Sequence, residues 1–268
     1  FNKSNNIDKA QLDTTNSRRY YSEMWLSSCY MQLGKIKEAQ AISPDYYMVP
    51  PIDRRLTVES DRFSELSNMF AQAGNLERAL EYALRCADIE KQVAGKEHIW
   101  YGNSTIIIGN LYYALGDSIN AEENYLINKN ICKHTYGEYS ERYVDALLSL
   151  ASVNTDFSMK DGLDKATRYL DEAYSIAHKR YPLLEAQIVN QQSVIAFRNK
   201  NYEQAKTLMM QALSLCELAE GKTSNNYEIL LSNTIDLYQM FGQYDEAITL
   251  GQDCLEACNQ GPNSNRKG

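Results

Sequence analysis

The chain has few of the residues that most enzymes and most nucleic-acid-binding proteins require. It contains only three His among 268 residues, and none of them lies near a recognisable nucleophile, so catalysis by His is not favoured. Lys and Arg number 27 against 35 Asp and Glu, which gives a net charge of −8 at pH 7. Because binding to a phosphate backbone needs a clustered basic surface, nucleic acid is excluded as a partner.

Long hydrophobic runs are absent as well. The most apolar stretch, residues 105–115, is interrupted by Gly109 and Asn110 and is far shorter than a helix that spans a bilayer. The chain begins with Phe1 and shows no basic-then-apolar leader. We therefore expect no membrane insertion and a cytoplasmic location, or a periplasmic or extracytoplasmic one if the chain is a processed fragment.

Motifs for metals and cofactors are also missing. The "GKT" at 221–223 resembles the end of a phosphate-binding loop, but Cys216 stands where that loop needs its first Gly. Most of the Cys residues recur at two positions of an internal repeat, one shared by Cys86 and Cys254 and the other by Cys132, Cys216 and Cys258. Recurrence at packing positions indicates small hydrophobic residues. The sequence therefore predicts no metal site and no cofactor.

What the chain does contain is an internal repeat. Six related segments each end in an Ala, at intervals of 39 to 45 residues: Ala39, Ala79, Ala121, Ala166, Ala205 and Ala247. Four of the segments carry a Gly five residues earlier: Gly34, Gly74, Gly116 and Gly242. Each segment is typical of two antiparallel helices, in which Gly ends the first helix in the left-handed conformation and Ala lies where the helices touch. Because one pair cannot bury its own apolar faces, we predict an all-α fold, a right-handed solenoid (α-α superhelix) of stacked pairs.

The segments resemble the repeats of a known protein family. "GNLYYALGDSINAEENY" (109–125) and "LYQMFGQYDEAITL" (237–250) resemble tetratricopeptide repeats, which have a small residue, a Tyr, a Gly and then two Ala-like positions. The period lies nearer 42 than the usual ~34 residues. That longer form, with "GK" or "GE" in the turns at Gly95, Gly137 and Gly221, is similar to the kinesin light chain subgroup. The resemblance covers residues 20–258.

The repeat also predicts the organisation of the chain. Residues 1–18 are expected to form a polar segment with part of a helix, 19–260 a single solenoid of about six repeats, and 261–268 a polar tail or linker. Pro44, Pro50 and Pro51 cannot lie inside a helix. The second helix of the first repeat is therefore expected to be short and to be followed by an extended segment, about 43–54.

The resemblance implies that the first helices line a concave face that binds a peptide or a partner segment. It implies the following contact residues: Asn68, Gln72, Asn103, Ile106, Asn110, Tyr113, Asp145, Asn190, Phe197, Arg198 and Asp236. The amides of Asn68 and Asn110 could donate to and accept from an extended backbone at the same time.

The charge of this face predicts the kind of partner. The Lys that some members of the family use to hold a terminal carboxylate is replaced by Met24, Ser64, Ile106, Leu148, Asn190 and Ser232. Asp61, Asp145, Asp156 and Asp236 stand against Arg198, so a neutral to basic protein segment is favoured. Self-association is left open.

We therefore expect a non-enzymatic scaffold for protein–protein interaction. The alternative is a regulatory or sensory module of a larger multidomain protein, such as a signalling kinase or a protease with attached repeats. An enzyme is not expected, because no acid, base or nucleophile converges with another.

Overall fold

A computed structural model describes Leu26, Tyr30 and residues 35–42, 54–157 and 161–260. Within those residues the regular elements are all α-helices. In chain order they are α1 (Ile36–Ile42), α2 (Arg54–Gln72), α3 (Leu76–Ala94), α4 (Ile99–Ala114), α5 (Ser118–Tyr136), α6 (Glu141–Asp156), α7 (Gly162–Ala177), α8 (Pro182–Arg198), α9 (Tyr202–Glu220), α10 (Asn225–Met240) and α11 (Tyr244–Gln260). The predicted all-α class is confirmed. The first helices of the repeats are α2, α4, α6, α8 and α10, and the second helices are α3, α5, α7, α9 and α11.

Several predictions of chain organisation lie outside the described residues. These are the polar segment 1–18, most of the extended segment 43–54 and the tail 261–268, and Met24 of the first repeat lies outside them as well. Arg54, which was placed at the end of the extended segment, begins α2 instead. Contacts divide the chain into two compact units, residues 1–153 and 154–268, with the boundary inside α6.

In the first unit, consecutive helices pack on one another: α2 on α3, α3 on α4 and α4 on α5. The core between α3 and α4 consists of Ala79, Ala83, Ala87, Ile108 and Leu111. Short Ala side chains on α3 let the apolar residues of α4 approach closely. The hydroxyl of Ser67 on α2 donates to the backbone oxygen of Ala79 over 2.9 Å, which ties the first helix of the pair to the second.

The second unit repeats this arrangement, with α7 on α8, α8 on α9, α9 on α10 and α10 on α11. Its central core is formed by Ala186, Val189, Ala212, Leu213, Cys216, Tyr227, Leu230 and Leu231. The Ala that ends the repeat segment is buried in the second to sixth repeats, with 0% exposure at Ala79, Ala121, Ala166 and Ala205 and 6% at Ala247. The prediction that these residues are buried is confirmed.

From α2 onward, the turns that carry the repeat Gly have the predicted left-handed conformation. Its φ is 76° at Gly74, 81° at Gly116 and 66° at Gly242. In the two repeats that lack this Gly, Asp161 and Lys200 adopt the same conformation, with φ of 58° and 63°. A side chain costs about 1–2 kcal/mol in this region. The turn geometry is therefore kept where the sequence does not favour it, because the helices on both sides require it.

The Cys residues described by the structure are packed as the repeat predicts. Cys86, Cys132 and Cys216 are buried, and Cys254 is half-buried. Burial raises the pKa of the Cys132 thiol to about 11 and also raises the pKa of Cys86 and Cys216. Since the thiolate is the reactive form, these thiols should be inert in the folded protein.

We expect iodoacetamide at pH 8 to alkylate Cys132 roughly a hundredfold more slowly than an ordinary thiol, because a pKa near 11 removes most of the thiolate. Cys254 should react faster than Cys132. Mass spectrometry of the tryptic peptides measures both rates in one sample. In guanidinium chloride the two rates should converge, and equal rates in the folded protein would contradict the packing.

Candidate functional site

The eleven predicted contact residues all lie on first helices, and the structure buries none of them completely. Asn68, Gln72, Asn103, Asn110, Asp145, Arg198 and Asp236 are exposed, and Ile106, Tyr113, Asn190 and Phe197 are half-buried. Because α6 contains the boundary between the units, each unit presents its own part of this set.

In the first unit, Asn110 has a structural partner that the sequence did not reveal. The Tyr125 hydroxyl on α5 donates to Asn110 Oδ1 over 2.8 Å. Burial raises the pKa of Tyr125 to about 12, so the hydroxyl keeps its proton and remains a donor. The amide oxygen of Asn110 therefore has a role in packing as well. Its side chain is nevertheless exposed, and its peptide-binding role stays a prediction.

The position of Tyr125 also explains why residue 109 is a Gly. The ring of Tyr125 lies against the Gly109 backbone, and a Cβ at that position would fall 2.6 Å from Tyr125 Cε1. Two turns earlier on α4, Gly102 faces Ile131 in the same way, since a Cβ would lie 2.8 Å from Ile131 Cγ2. The two glycines let α4 approach α5 closely, which positions the exposed face of α4.

In the second unit, predicted residues of two neighbouring first helices come together. Phe197 of α8 and Asp236 of α10 line one groove of about 250 Å³. This α8–α10 groove is formed by Ser193, Val194, Phe197, Met209, Asn233, Asp236, Leu237 and Met240. Its lining is mainly apolar, and Met240 is 67% exposed. A concave, mainly apolar surface with a few polar groups is the form that ligand-binding sites commonly take.

The orientation of Phe197 is set by a cluster of aromatic rings behind it. Its ring centroid lies 5.6 Å from that of Tyr202 and 6.1 Å from that of Phe241, at interplanar angles of 58° and 61°. Such tilted contacts favour a single ring position. Met209, on the second helix α9, forms part of the groove and was not predicted. Its position four residues after Ala205, on the face of α9 that packs toward the first helices, could have indicated it.

The electrostatics of the groove are set by one carboxylate. Arg198 Nη2 lies 3.3 Å from Asp156 Oδ1, so the cation of this face is already paired. Asp236 is exposed and makes no salt bridge with any residue that the structure describes. Asn190 Oδ1 is shielded from solvent and accepts no hydrogen bond within the same residues. The groove thus offers an apolar surface, one negative charge and, nearby, an amide acceptor.

Among the residues that the structure describes, no group of three or more His, Cys, Asp or Glu is arranged to hold a metal ion. The helices of the same residues also include none that is long and apolar enough to cross a bilayer.

Models of a known protein family match two parts of the chain. Two models described as Tetratricopeptide repeat match residues 61–99, which span α2 and α3, and residues 184–260, which span α8 to α11. A comparison with curated protein sequences finds no match.

Solved structures share the fold at low sequence identity. The repeats of a kinesin light chain from Podosopora anserina, described as nearly identical TPR-like repeats, superpose with a TM-score of 0.58 at 18% identity, covering 77% of this chain and 95% of theirs. BtubC (BKLC) from P. vanneervenii gives 0.60 at 14% identity, covering 93% and 96%. A Rap protein complexed with Competence and Sporulation Factor gives 0.60 at 12% identity, covering 90% and 76%. At these identities the likeness concerns the fold.

Proposed function

Because the chain is a tetratricopeptide repeat protein with a fold of the kinesin-light-chain-like type, we propose that it is a non-enzymatic scaffold that binds a polypeptide segment of a partner protein. Tetratricopeptide repeats generally serve protein–protein interaction. The observation that carries the proposal is the α8–α10 groove, in which apolar side chains of two consecutive first helices meet beside Asp236. The Rap neighbour, which has the same fold, is complexed with a signalling factor.

The side chains that line the groove indicate the kind of partner segment that it would bind. Val194, Phe197, Leu237 and Met240 offer room for an apolar side chain. Asp236 then favours a Lys or Arg close to that side chain, since its charge is not compensated by a salt bridge. The exposed amide group of Asn233 can hydrogen-bond to the backbone of an extended segment. We therefore propose that the partner segment is extended and carries an apolar residue next to a basic one.

The proposal predicts that groove variants lose peptide binding. A random displayed peptide library is selected on the whole chain, and the best peptide is titrated by fluorescence anisotropy. Met240→Glu and Asp236→Lys should each weaken binding by at least about tenfold, because the first places a charge in the apolar groove and the second repels a basic residue.

Matched variants in the same unit separate this effect from a general change of surface. Leu218 on α9 is 85% exposed, and Asp253 on α11 is exposed. Leu218→Glu and Asp253→Lys should therefore bind the peptide as the unaltered protein does. The proposal fails if the selection yields no binding peptide, or if the groove variants and the matched variants bind equally well.

A second candidate function is that of a regulatory or sensory module within a larger multidomain protein. The likeness to a Rap protein complexed with Competence and Sporulation Factor favours it, because that protein joins the same fold to the binding of a signalling factor. An effector domain encoded beyond Gly268 would support this candidate. A stop codon directly after Gly268 and no effector domain before Phe1 would contradict it.

A further inference from the structure

The second repeat carries a carboxylate at a position that the later repeats fill with a small apolar residue. Glu90 is the eleventh residue after Ala79. The same offset in later repeats gives Cys132, Ala177 and Cys216, which are exposed by at most 4%. A half-buried charge in place of a core residue opposes folding unless it has a compensating partner. Helix packing therefore does not account for Glu90.

Glu90 lines a cavity of about 190 Å³ in the first unit, where α2, α3 and α4 meet. Its walls are Ser60 and Asp61 of α2, Ile89, Glu90 and Val93 of α3, and Trp100 of α4. Two carboxylates, an aromatic ring and two aliphatic side chains thus surround one small space. The Trp100 ring is held from behind by His98, with ring centroids 5.0 Å apart at an angle of 81°.

The hydroxyls around the cavity already have partners, whereas one oxygen of the Glu90 carboxylate does not. Ser60 Oγ lies 3.3 Å from Cys86 Sγ, and the Ser104 hydroxyl donates to the same sulfur over 3.6 Å. Glu90 Oε2 is shielded from solvent and accepts no hydrogen bond within the described residues. Neither Glu90 nor Asp61 forms a salt bridge with a Lys or Arg of those residues.

These surroundings raise the pKa of Glu90. Burial is the main cause that raises the pKa of Glu90 to about 7, and the negative charge of Asp61 on α2 raises it further. Ser104 on α4 and Cys86 on α3 hydrogen-bond to the carboxyl group and oppose the rise. The free cavity therefore holds a carboxyl group that loses its proton near neutral pH.

We propose that this cavity binds an organic cation, a primary ammonium or guanidinium group on an alkyl chain, between Glu90 and Asp61 and against Trp100. The cation supplies the positive charge that both carboxylates lack, and the indole ring adds a cation–π contact. The alkyl stem packs along Ile89 and Val93. The cavity belongs to the first unit and the α8–α10 groove to the second, so either proposal can fail without the other.

The pH dependence of binding has a definite sign. A cation favours the ionised carboxylate, so binding lowers the pKa of Glu90. At pH 6 the free protein holds Glu90 mostly protonated, and the cation must displace that proton. Affinity should therefore rise by about tenfold between pH 6 and pH 8, with proton release at pH 6 only.

Isothermal titration calorimetry on the whole chain tests the site with three probes. N-acetyl-lysine methylamide and N-acetyl-arginine methylamide represent side chains of a polypeptide, and n-butylammonium represents a free amine. Tighter binding of a capped amino acid than of n-butylammonium indicates a partner protein as the source of the cation. Equal binding indicates a small free amine, and both results support the site.

Substitutions of single carboxylates measure how much each one contributes to binding of the cation. Glu90→Gln keeps the shape of the side chain and should weaken binding at pH 8 at least about tenfold, with the pH dependence lost. Glu77→Gln on the same helix changes an exposed carboxylate and should bind as the unaltered protein does. Asp61→Asn, at an exposed position, should weaken binding severalfold and provides a second variant if Glu90→Gln folds poorly. The inference is overturned if no probe gives a binding heat, or if Glu90→Gln or a folded Asp61→Asn leaves the affinity unchanged.

Discussion

Gly109→Ala is expected to lower the free energy of unfolding by about 2 kcal/mol. The new methyl group would lie 2.6 and 2.7 Å from Cε1 and Cδ1 of Tyr125, far inside van der Waals contact. Tyr125 cannot move away at low cost, because its side chain is only 3% exposed and its hydroxyl is bonded to Asn110. Overpacking of this kind costs about 1–3 kcal/mol and outweighs the higher helix propensity of Ala, about 1 kcal/mol. Urea denaturation followed by circular dichroism measures the change.

Gly251→Ala is the matched control for this prediction. Gly251 also lies inside a helix, but a Cβ there would meet only Ile235 Cδ1, at an ordinary 3.9 Å. That variant should be neutral or more stable by up to about 1 kcal/mol. In a Tyr125→Ala background, where the ring is absent, Gly109→Ala should no longer destabilise the protein. Equal effects at Gly109 and Gly251 would show that the ring does not restrict this position.

Glu185→Ala is expected to destabilise the second unit by about 2–3 kcal/mol. Glu185 is 5% exposed, and its carboxylate holds the turn between α7 and α8. Its Oε1 lies 2.8 Å from His178 Nδ1, and its Oε2 accepts from the backbone N–H of Lys179 over 3.0 Å. Lys179 has a φ of 60°, so the carboxylate stabilises a backbone conformation that its side chain disfavours. Hydrogen bonds to a charged group contribute about 1.5–3 kcal/mol.

Two further substitutions make the Glu185 prediction specific. Glu203 on α9 is paired with Lys206 at 2.8 Å, but its side chain is 88% exposed, so Glu203→Ala should change stability by less than about 1 kcal/mol. Glu185→Gln keeps an oxygen for the Lys179 N–H and should lose about half as much as Glu185→Ala. Thermal and urea unfolding of the three variants separates these effects. A loss at Glu203 as large as that at Glu185 would contradict the role of the buried carboxylate.

The contact set on the first helices could be predicted only in outline. Helical period and the repeat register place Phe197 and Asp236 on first helices, but they do not show that these two residues share one groove. Whether the two side chains meet depends on how α8 and α10 pack across α9. That packing involves residues that are distant in sequence. Arg198 illustrates the same limit, because its partner Asp156 lies on another first helix, at 3.3 Å.

Asn110 marks the clearest difference between the two levels of description. The sequence predicts that its amide faces a bound peptide and does not reveal a partner within the fold. The structure supplies one, since Tyr125 lies on the neighbouring helix and donates its hydroxyl proton to Asn110. Glu90 shows the reverse case, because the repeat register alone exposes it as an exception. Only the packing of α2 and α4 shows that a cavity lies beside it.

By itself, the sequence determined the period of the repeat, the division of each copy into two helices, the buried Ala and the left-handed Gly in the turns that carry one. These features depend on local rules, such as side-chain size and the φ of Gly. The residues that satisfy these rules recur at regular intervals along the chain. The tertiary structure alone decided which side chains of different helices meet, as at the α8–α10 groove, Tyr125 with Asn110, and Glu90 with Asp61. Such contacts depend on how successive helices pack, and no periodic pattern in one helix encodes the positions of its neighbours.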